Sequence, residues 1–251
     1  MSATVEQVQE TIRQLREAQA RLAQSRRTEQ IVEAIARAAQ SWLPESSPWR
    51  AQAIDRAPSV TGFSAAMVNE IIARTFAPVT VEALHALLDR ELGDRRALDE
   101  FRPHGPAQAR AHGPGLITHM LAGNVPAPGV LSIICGLLVK SGNLVKMSSS
   151  DLVFPSLFAE SLRAVDAELG ACVATLDWPR TEVSVTVAAV AGADAVIGYG
   201  DDSTIIALRR ITPAGATFLG YGQKVSFAFI AKEAMTAANL PALAALAAEE
   251  V

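Results

Sequence analysis

Cysteine is scarce in this sequence, and its scarcity limits the kinds of site that the chain can build. The 251 residues include two cysteines, Cys135 and Cys172, without a CxxC pair or a histidine pair near either one. This pattern excludes a disulfide framework and a cysteine-based zinc site. Three histidines, His104, His112 and His119, occur in or beside a turn-rich stretch without the i, i+4 spacing of helical metal ligands. We therefore interpret them as surface or turn residues and expect no metal.

Long apolar runs and blocks of like charge are also absent. The longest apolar run, residues 129–139, is shorter than the roughly 18 residues of a membrane-spanning helix, and residues 1–14 lack the apolar core of a signal peptide. The 22 basic and 26 acidic residues give a formal charge of −4 and no electrostatic footprint for nucleic acid or an anionic membrane. We expect a cytoplasmic globular protein that binds small molecules, with no nucleic-acid partner and no transmembrane segment.

The first hundred residues carry helical patterns. Apolar residues recur at steps of three or four from Val5 to Leu22, which predicts an amphipathic helix. About two and a half heptads are few for a coiled coil, so we favour a helix packed on its own domain over a dimer seam. A homo-oligomer stays open. Thr80 is a candidate N-cap for a later helix. Further helices are predicted over residues 27–43, 64–76 and 79–92, with Pro44, Pro48, Pro58 and Pro78 as breaks between patterns.

Residues 101–115 are rich in glycine, proline and histidine, which indicates a linker or an extended crossing. We place a boundary here, between a mainly helical region (residues 1–110) and a second domain (residues 111–251). In the second domain apolar strands alternate with helices, which predicts an α/β fold with a doubly wound parallel sheet. Strands are predicted over residues 115–122, 143–149, 172–178, 194–200, 216–222 and 225–231, and helices over residues 125–142, 154–170, 181–193, 202–211 and 234–251.

Four polar or glycine-rich clusters follow predicted strands, where ligands bind in such sheets. They are residues 123–126, 146–150, 198–203 and 220–224. The third is close to the phosphate-binding pattern G-x-G-x-x-G, with Ser203 at the last position. Its backbone amides could hold a pyrophosphate, but Asp201 and Asp202 could equally cap the following helix and would repel phosphate. Both interpretations stay open.

The stretch GNVPAPGVLSIICGLLVKSGNLVKMSSSD, residues 123–151, resembles the acyl-CoA reductase family of the LuxC type. Members of this family reduce fatty acyl thioesters to aldehydes and belong to the aldehyde dehydrogenase superfamily. The superfamily has the same order of parts: a strand, an Asn-Phe-Pro turn, a helix ending in a Gly-Asn turn, and a strand with Lys-Pro-Ser-Glu. The resemblance covers residues 115–232 and implies an aldehyde dehydrogenase-like Rossmann domain.

The resemblance implies a catalytic role for Asn124. In the superfamily a cysteine thiolate attacks the acyl carbonyl, and the turn asparagine donates its side-chain amide to the oxyanion that forms. From the residues alone, a turn device before Pro126 is the simpler interpretation of Asn124. The resemblance favours the oxyanion role.

A cofactor site is implied as well. Lys146 matches the lysine that holds the adenosine ribose, and Ser149 stands where the superfamily has a glutamate that binds both ribose hydroxyls. A carboxylate there would repel a 2′-phosphate, whereas Ser148 and Ser149 can donate hydrogen bonds to one, so we predict NADPH ahead of NADH. The alternative is that Ser148 or Ser149 caps the next helix, and the two roles can coexist.

Two further turns match the superfamily in part. Gly198 and Gly200 match its phosphate-contacting Gly-Ser-Thr turn, although Asp201 replaces the usual serine. Gly222 begins the turn that matches Gly-Gly-Lys, and the position of the general-base glutamate falls at Gly220. A dehydrogenase needs that base to activate water and a reductase does not, so its loss suits the reductive direction.

Neither cysteine matches the family's nucleophile, which comes after the Gly-x-Lys turn and one further helix. Cys135 falls in an apolar helix and Cys172 opens a buried strand, so both are interpreted as core thiols. We therefore expect this chain to be the cofactor-binding part of an NADPH-dependent acyl-CoA reductase, unable to reduce acyl-CoA alone. Two alternatives stay open: a related reductase of acyl phosphates, and a non-catalytic nucleotide-binding module.

Overall fold

Five helices open the chain in the computed structural model, which describes residues 2–123, 127–225 and 227–249. They are α1 (Val5–Ser25), α2 (Thr28–Gln40), α3 (Pro48–Thr61), α4 (Ala65–Phe76) and α5 (Val81–Leu92), followed by a 3₁₀ turn (Arg95–Leu98). The predicted helices α1, α2, α4 and α5 are confirmed. Thr80 caps α5 as predicted, because its side chain accepts a hydrogen bond from the Ala83 amide.

Helix α3 corrects the interpretation of its prolines as breaks. Pro48 occupies the first helical turn, where the missing amide costs no hydrogen bond, and Pro58 lies inside the helix near its end. The helix buries Ala53 and Ala57, so packing against its neighbours outweighs the poor helix propensity of proline. Gly62 ends the helix in the left-handed conformation, with a φ of 78°.

The predicted crossing at residues 101–115 contains a short hairpin. Strand β1 (Arg102–His104) pairs antiparallel with β2 (Ala107–Ala109), and Gly105 turns the chain between them with a φ of 58°. The residues from 103 to 110 are exposed, as is His112. The surface interpretation of His104 and His112 is therefore confirmed.

A five-stranded parallel sheet forms the centre of the second region. Its strands lie side by side in the order β5-β4-β3-β6-β7. The chain moves outward from β3 to β5 and then returns to β6, so the order reverses between β3 and β6. The predicted α/β fold is confirmed. The strands are β3 (Leu116–Met120), β4 (Gly142–Lys146), β5 (Val173–Leu176), β6 (Ala195–Tyr199) and β7 (Thr217–Tyr221).

Helices connect the strands and cover the sheet. Helices α6 and α7 belong to one hydrophobic cluster with β5, while α1 and α9 belong to another with β3 and β6. The helices are α6 (Ala127–Leu138), α7 (Phe154–Val165), α8 (Ala167–Gly170), α9 (Val183–Ala191), α10 (Asp202–Ile211) and α11 (Leu240–Glu249), with a second 3₁₀ turn (Lys232–Ala234) before α11.

Two predicted elements differ from the structure. The predicted helix over residues 154–170 is broken at Asp166, whose carboxylate accepts from the amides of Glu168 and Leu169 and starts α8. The predicted strand over residues 225–231 is wrong for the described part of that stretch. No described strand pairs with it, and Phe227 and Phe229 are exposed, so neither a ladder nor a core stabilises an extended strand.

Helix α6 ends at Leu138, earlier than the predicted stop near Gly142. The cause is Lys140, which is left-handed with a φ of 60° although it is not glycine. Its buried ammonium pairs with Asp99 and donates to the carbonyl of Arg26. Asp99 also accepts from the Thr28 amide, so this ion pair joins α6 to the start of α2.

Helix α1 packs on its own chain, as favoured from the sequence. Val8 and Leu15 are buried in one cluster with Leu116 and Leu144, and Leu22 is buried in the other cluster. Among the described residues no single helix is long and apolar enough to cross a membrane, although α4 and α5 together pass that test across a 58° bend. The division into residues 1–110 and 111–251 stays a prediction.

Candidate functional site

The register of the sheet brings three of the four polar clusters to one edge. Met120, the last residue of β3, is opposite Lys146 of β4 on one side and Gly198 of β6 on the other. Gly198 is in turn opposite Gly220 of β7. The turns that follow Lys146, Gly198 and Gly220 therefore leave the sheet side by side, at its carboxyl edge.

The turn after β3 is described only in part. Gly123 is the last residue described before the gap at 124–126, and an added Cβ there would collide with the hydroxyls of Ser148 and Ser150. A glycine is therefore required where this turn meets the serines after β4. Asn124 lies outside the described residues, so its oxyanion role stays a prediction.

The turn after β4 presents one exposed serine beside a half-buried lysine. Ser148 and Ser150 bond each other, Oγ to Oγ at 3.1 Å, whereas Ser149 is exposed. Burial lowers the pKa of Lys146, and the charge of Asp177 partly opposes this. Neither Ser148 nor Ser149 caps α7. The Phe154 amide donates instead to Asp151 at 3.2 Å, so the capping alternative for the two serines is wrong.

Asp151 anchors this turn from a buried position. Its side chain is enclosed by protein, and burial raises its pKa to about 6 despite hydrogen bonds from the amides of Phe154 and Val153. The carboxyl group therefore becomes charged only near neutral pH, in a poorly solvated place.

The turn after β6 begins α10 and is capped by its own aspartate. The carboxylate of Asp201 accepts from the Thr204 amide at 2.7 Å and from the Ser203 hydroxyl at 2.8 Å. Hydrogen bonds from Thr204 and Ser203 hold the pKa of Asp201 at about 2. The capping interpretation is confirmed, and a negative charge lies where this helix would otherwise attract a phosphate.

Arg180 is a basic residue near this edge that the sequence reading missed. Its guanidinium donates to the Thr204 hydroxyl at 3.1 Å, and its charge acts on Asp201. Arg180 comes shortly after the carboxyl end of β5. This position in the sequence could have identified it as a candidate, since ligands contact the residues just after parallel strands.

His119 corrects the expectation of a surface or turn residue. It is fully buried in β3 because its strand is covered on both faces, and burial lowers its pKa to about 4. Asn143 donates through Nδ2 to the Ser141 carbonyl at 2.8 Å, so its Oδ1 accepts from His119 Nε2 at 3.0 Å. His119 Nδ1 then accepts from Ser132 Oγ at 2.8 Å. This neutral chain joins β3, β4 and α6 inside the protein.

Comparison with known families identifies the chain. A family model described as Acyl-CoA reductase (LuxC) matches residues 23–249. The chain belongs to this acyl-CoA reductase family. Among curated relatives, this LuxC-family chain is similar to the long-chain acyl-protein thioester reductases of Vibrio harveyi and Aliivibrio fischeri. The match to the Vibrio protein is 33% identical and covers 58% of this chain and 31% of that protein. The match to the Aliivibrio protein is 30% identical and covers 80% of this chain and 43% of that protein. The chain thus spans less than half of the relatives' length.

Solved structures with the same fold are aldehyde dehydrogenases. A succinic semialdehyde dehydrogenase from Streptococcus pyogenes, in complex with NADP+, matches with a TM-score of 0.68 and 12% identity over 87% of this chain and 46% of that chain. An NAD-dependent benzaldehyde dehydrogenase from Corynebacterium glutamicum matches with a TM-score of 0.62 and 15% identity, over 88% of this chain and 47% of that chain. The LuxC-family chain therefore has an aldehyde dehydrogenase fold.

The two cysteines of this LuxC-family chain differ in exposure. Cys135 is exposed on α6, which corrects its interpretation as a core thiol: the helix turns only its other side to the core. Cys172 is buried, as expected. Desolvation raises the pKa of Cys135, and it raises the pKa of Cys172 to about 12. A raised pKa lowers the fraction of thiolate at neutral pH, which makes a thiol a poorer nucleophile.

Proposed function

We propose that this LuxC-family chain is the cofactor-binding part of a cytoplasmic reductase that converts long-chain acyl thioesters, acyl-CoA among them, to aldehydes with NADPH. One observation carries the proposal. At the carboxyl edge of the sheet, the turns after Lys146 and Gly198 lie on either side of β3 in an aldehyde dehydrogenase fold. The printed names of the relatives, thioester reductases, support the reaction.

Lys146, Ser148 and Ser149 would hold the adenosine ribose with its 2′-phosphate. The Lys146 ammonium supplies positive charge, and the exposed Ser149 hydroxyl is available as a donor. The turn from 146 to 150 has no carboxylate that would repel a phosphate, and the nearest acid in sequence, Asp151, is turned into the protein. These features favour NADPH over NADH.

Gly198, Gly200 and Gly222 are assigned to the cofactor backbone near β6 and β7 through their main-chain amides, with Asp201 beside it. When bound, NADPH supplies the hydride that reduces the acyl group. In the proposed reaction Asn124 donates its amide to the oxyanion, a contribution of about 2.7 to 4 kcal/mol to the barrier. Glycine at position 220 leaves no general base to activate water there, so a thioacyl intermediate is protected from hydrolysis.

The cofactor assignment is tested by titrating the chain with NADPH and NADH in a calorimeter. The variant Ser149→Glu is expected to weaken NADPH binding about tenfold or more, because its carboxylate faces the 2′-phosphate, and to spare NADH. Ser46→Glu, the same change at an exposed loop position before α3, is the matched control. Equal affinities for the two cofactors in the unmodified chain, or an unchanged NADPH affinity in Ser149→Glu, would contradict the assignment.

The substrate class is tested by NADPH oxidation with three acyl donors. We expect the 251-residue chain alone to bind NADPH without turnover, because both of its thiols have raised pKa values. Sustained reduction of a thioester by the chain alone would refute this. In a protein that includes the nucleophile, reduction of acyl-CoA and acyl-protein thioesters supports the proposal, and exclusive reduction of acyl phosphate supports the alternative reductase.

A further inference from the structure

The same tripeptide, Gly-Tyr-Gly, ends two neighbouring strands of the sheet. It occurs as residues 198–200 at the end of β6 and as residues 220–222 at the end of β7. The two copies are in register, so that Tyr199 is directly opposite Tyr221. Their rings stack with centroids 4.9 Å apart and an interplanar angle of 12°. The proposed reaction assigns no role to this pair of aromatic rings.

Gly198 and Gly220 face α10, and a side chain at either position would crowd that helix. A Cβ on Gly198 would lie 3.0 Å from Leu208, and a Cβ on Gly220 would lie 2.8 Å from Ile205. Side chains alternate along a strand, so the two tyrosines project from the opposite face of the sheet. The glycines therefore let α10 pack closely, and the tyrosine rings project on the other face, next to Ile197 and Leu219.

On that other face the ring of Tyr199 packs against the protein and the ring of Tyr221 is exposed to solvent. Tyr199 is half-buried beside α6, where burial raises its pKa and the Ser132 hydroxyl partly offsets the effect. Tyr221 rests on Tyr199 and is 54% exposed. The pair is thus an aromatic surface with a fixed base and an open face at the carboxyl edge of the sheet.

The order of the strands indicates what this surface would contact. The adenosine ribose is assigned to the turn after β4, and β7 is three strands farther along the sheet, at about 14 Å for spacings of about 4.8 Å. A dinucleotide that ran along this edge from β4 would pass β3 and then the glycine turn after β6. Its nicotinamide half would then reach the ends of β6 and β7.

We propose that the exposed ring of Tyr221, supported by Tyr199, is the surface on which the nicotinamide ring of the cofactor stacks. This inference rests on the proposed function, because it extends the same cofactor site. Planar rings stack favourably in an offset arrangement, and a ring that is already held by a partner loses little freedom when a third ring joins it. The stack would cover one face of the nicotinamide and leave the other face open for the acyl group.

The test compares two substitutions of Tyr221 against two ligands. Tyr221→Leu removes the aromatic ring at an exposed position, and Tyr221→Phe keeps it. The ligands are NADPH and 2′,5′-ADP, which has the adenosine ribose and its 2′-phosphate but no nicotinamide. We expect Tyr221→Leu to lower the affinity for NADPH about five- to tenfold and to leave the affinity for 2′,5′-ADP unchanged. Tyr221→Phe should bind both ligands as the unmodified chain does.

Three results would overturn the inference. An unchanged NADPH affinity in Tyr221→Leu, with the unmodified chain binding both ligands, removes the stacking role and leaves the proposed function standing. An equal loss of affinity for both ligands shows that the substitution also damages the adenosine half of the site. Failure of the unmodified chain to bind either ligand removes the cofactor site and the proposed function together. The fluorescence of bound NADPH is a second readout, and it should differ between Tyr221→Leu and Tyr221→Phe because only the latter keeps a ring against the nicotinamide.

Discussion

Asp201 is the residue at which two requirements of the proposed site conflict. Its carboxylate caps α10 through the Thr204 amide, yet the same charge opposes a phosphate at the start of that helix. Serine also caps helices and carries no charge. We therefore expect Asp201→Ser to keep the fold and to bind NADPH about two- to fivefold more tightly than the unmodified chain, as measured by calorimetry.

The control for this substitution is Asp55→Ser, which removes one negative charge from the exposed side of α3. It changes the net charge equally without approaching the carboxyl edge, and it should leave the NADPH affinity unchanged. If Asp201→Ser binds NADPH no better than Asp55→Ser does, the phosphate does not lie against the start of α10.

Some residue roles followed from the sequence and others depended on the folded surroundings. Capping by Asp201 was one of two open interpretations, because an aspartate just before an apolar helix is a local signal. The predictions that His119 lies at the surface and that Cys135 lies in the core were wrong, because the burial of a residue depends on which neighbours cover its element. The polar chain from His119 to Asn143 joins three elements that are distant in sequence, and no local pattern announces it.

Between β4 and α7, the turn that carries the serines depends on a carboxyl group with a raised pKa. Asp151 has a pKa of about 6 in the folded chain and about 3.9 when unfolded, so the folded state binds its proton more tightly. The resulting stabilisation is fully present below about pH 4 and is lost as the pH rises through about 6. Asp151→Asn removes the titration and should raise the free energy of unfolding at pH 7 by roughly 1 to 3 kcal/mol relative to the unmodified chain.

This prediction is checked by urea unfolding at pH 4 and pH 7. The difference in stability between Asp151→Asn and the unmodified chain should be larger at pH 7, whereas Asp55→Asn on exposed α3 should show no such trend. A difference that is the same at both pH values would mean that Asp151 does not titrate between them.

Most elements were predictable because their signals are local. Apolar periodicity and N-caps located four of the first five helices, and continuous apolar runs located the five strands of the sheet. The errors have a common cause in tertiary packing. Helix α3 tolerates Pro58 because its alanines are buried, and the apolar stretch 225–231 forms no strand in its described part because no described strand pairs with it.

At the scale of the whole molecule, the family and the fold are established, and the chemistry is a proposal. The family model covers residues 23–249, and the aldehyde dehydrogenase structures share the arrangement of the sheet at 12% to 15% identity. The parallel sheet followed from the alternation of strands and helices, whereas the order of its strands is known only from the structure. The proposed acyl site could not be derived, because Asn124 lies outside the described residues and the pKa values of both thiols, Cys135 and Cys172, are raised.

Hydrogen exchange with and without saturating NADPH tests the cofactor site most directly. We expect slower exchange of backbone amides in residues 147–150 and 200–204, because these turns meet at the edge assigned to the cofactor. A surface groove of about 520 Å³ lies between α1 and the end of β5 and also reaches Met147, so the amides of Gln7 and Thr11 on its α1 side are the internal comparison. Protection of that α1 side alone, or bound NADPH without protection of either turn, would contradict a cofactor site at the carboxyl edge.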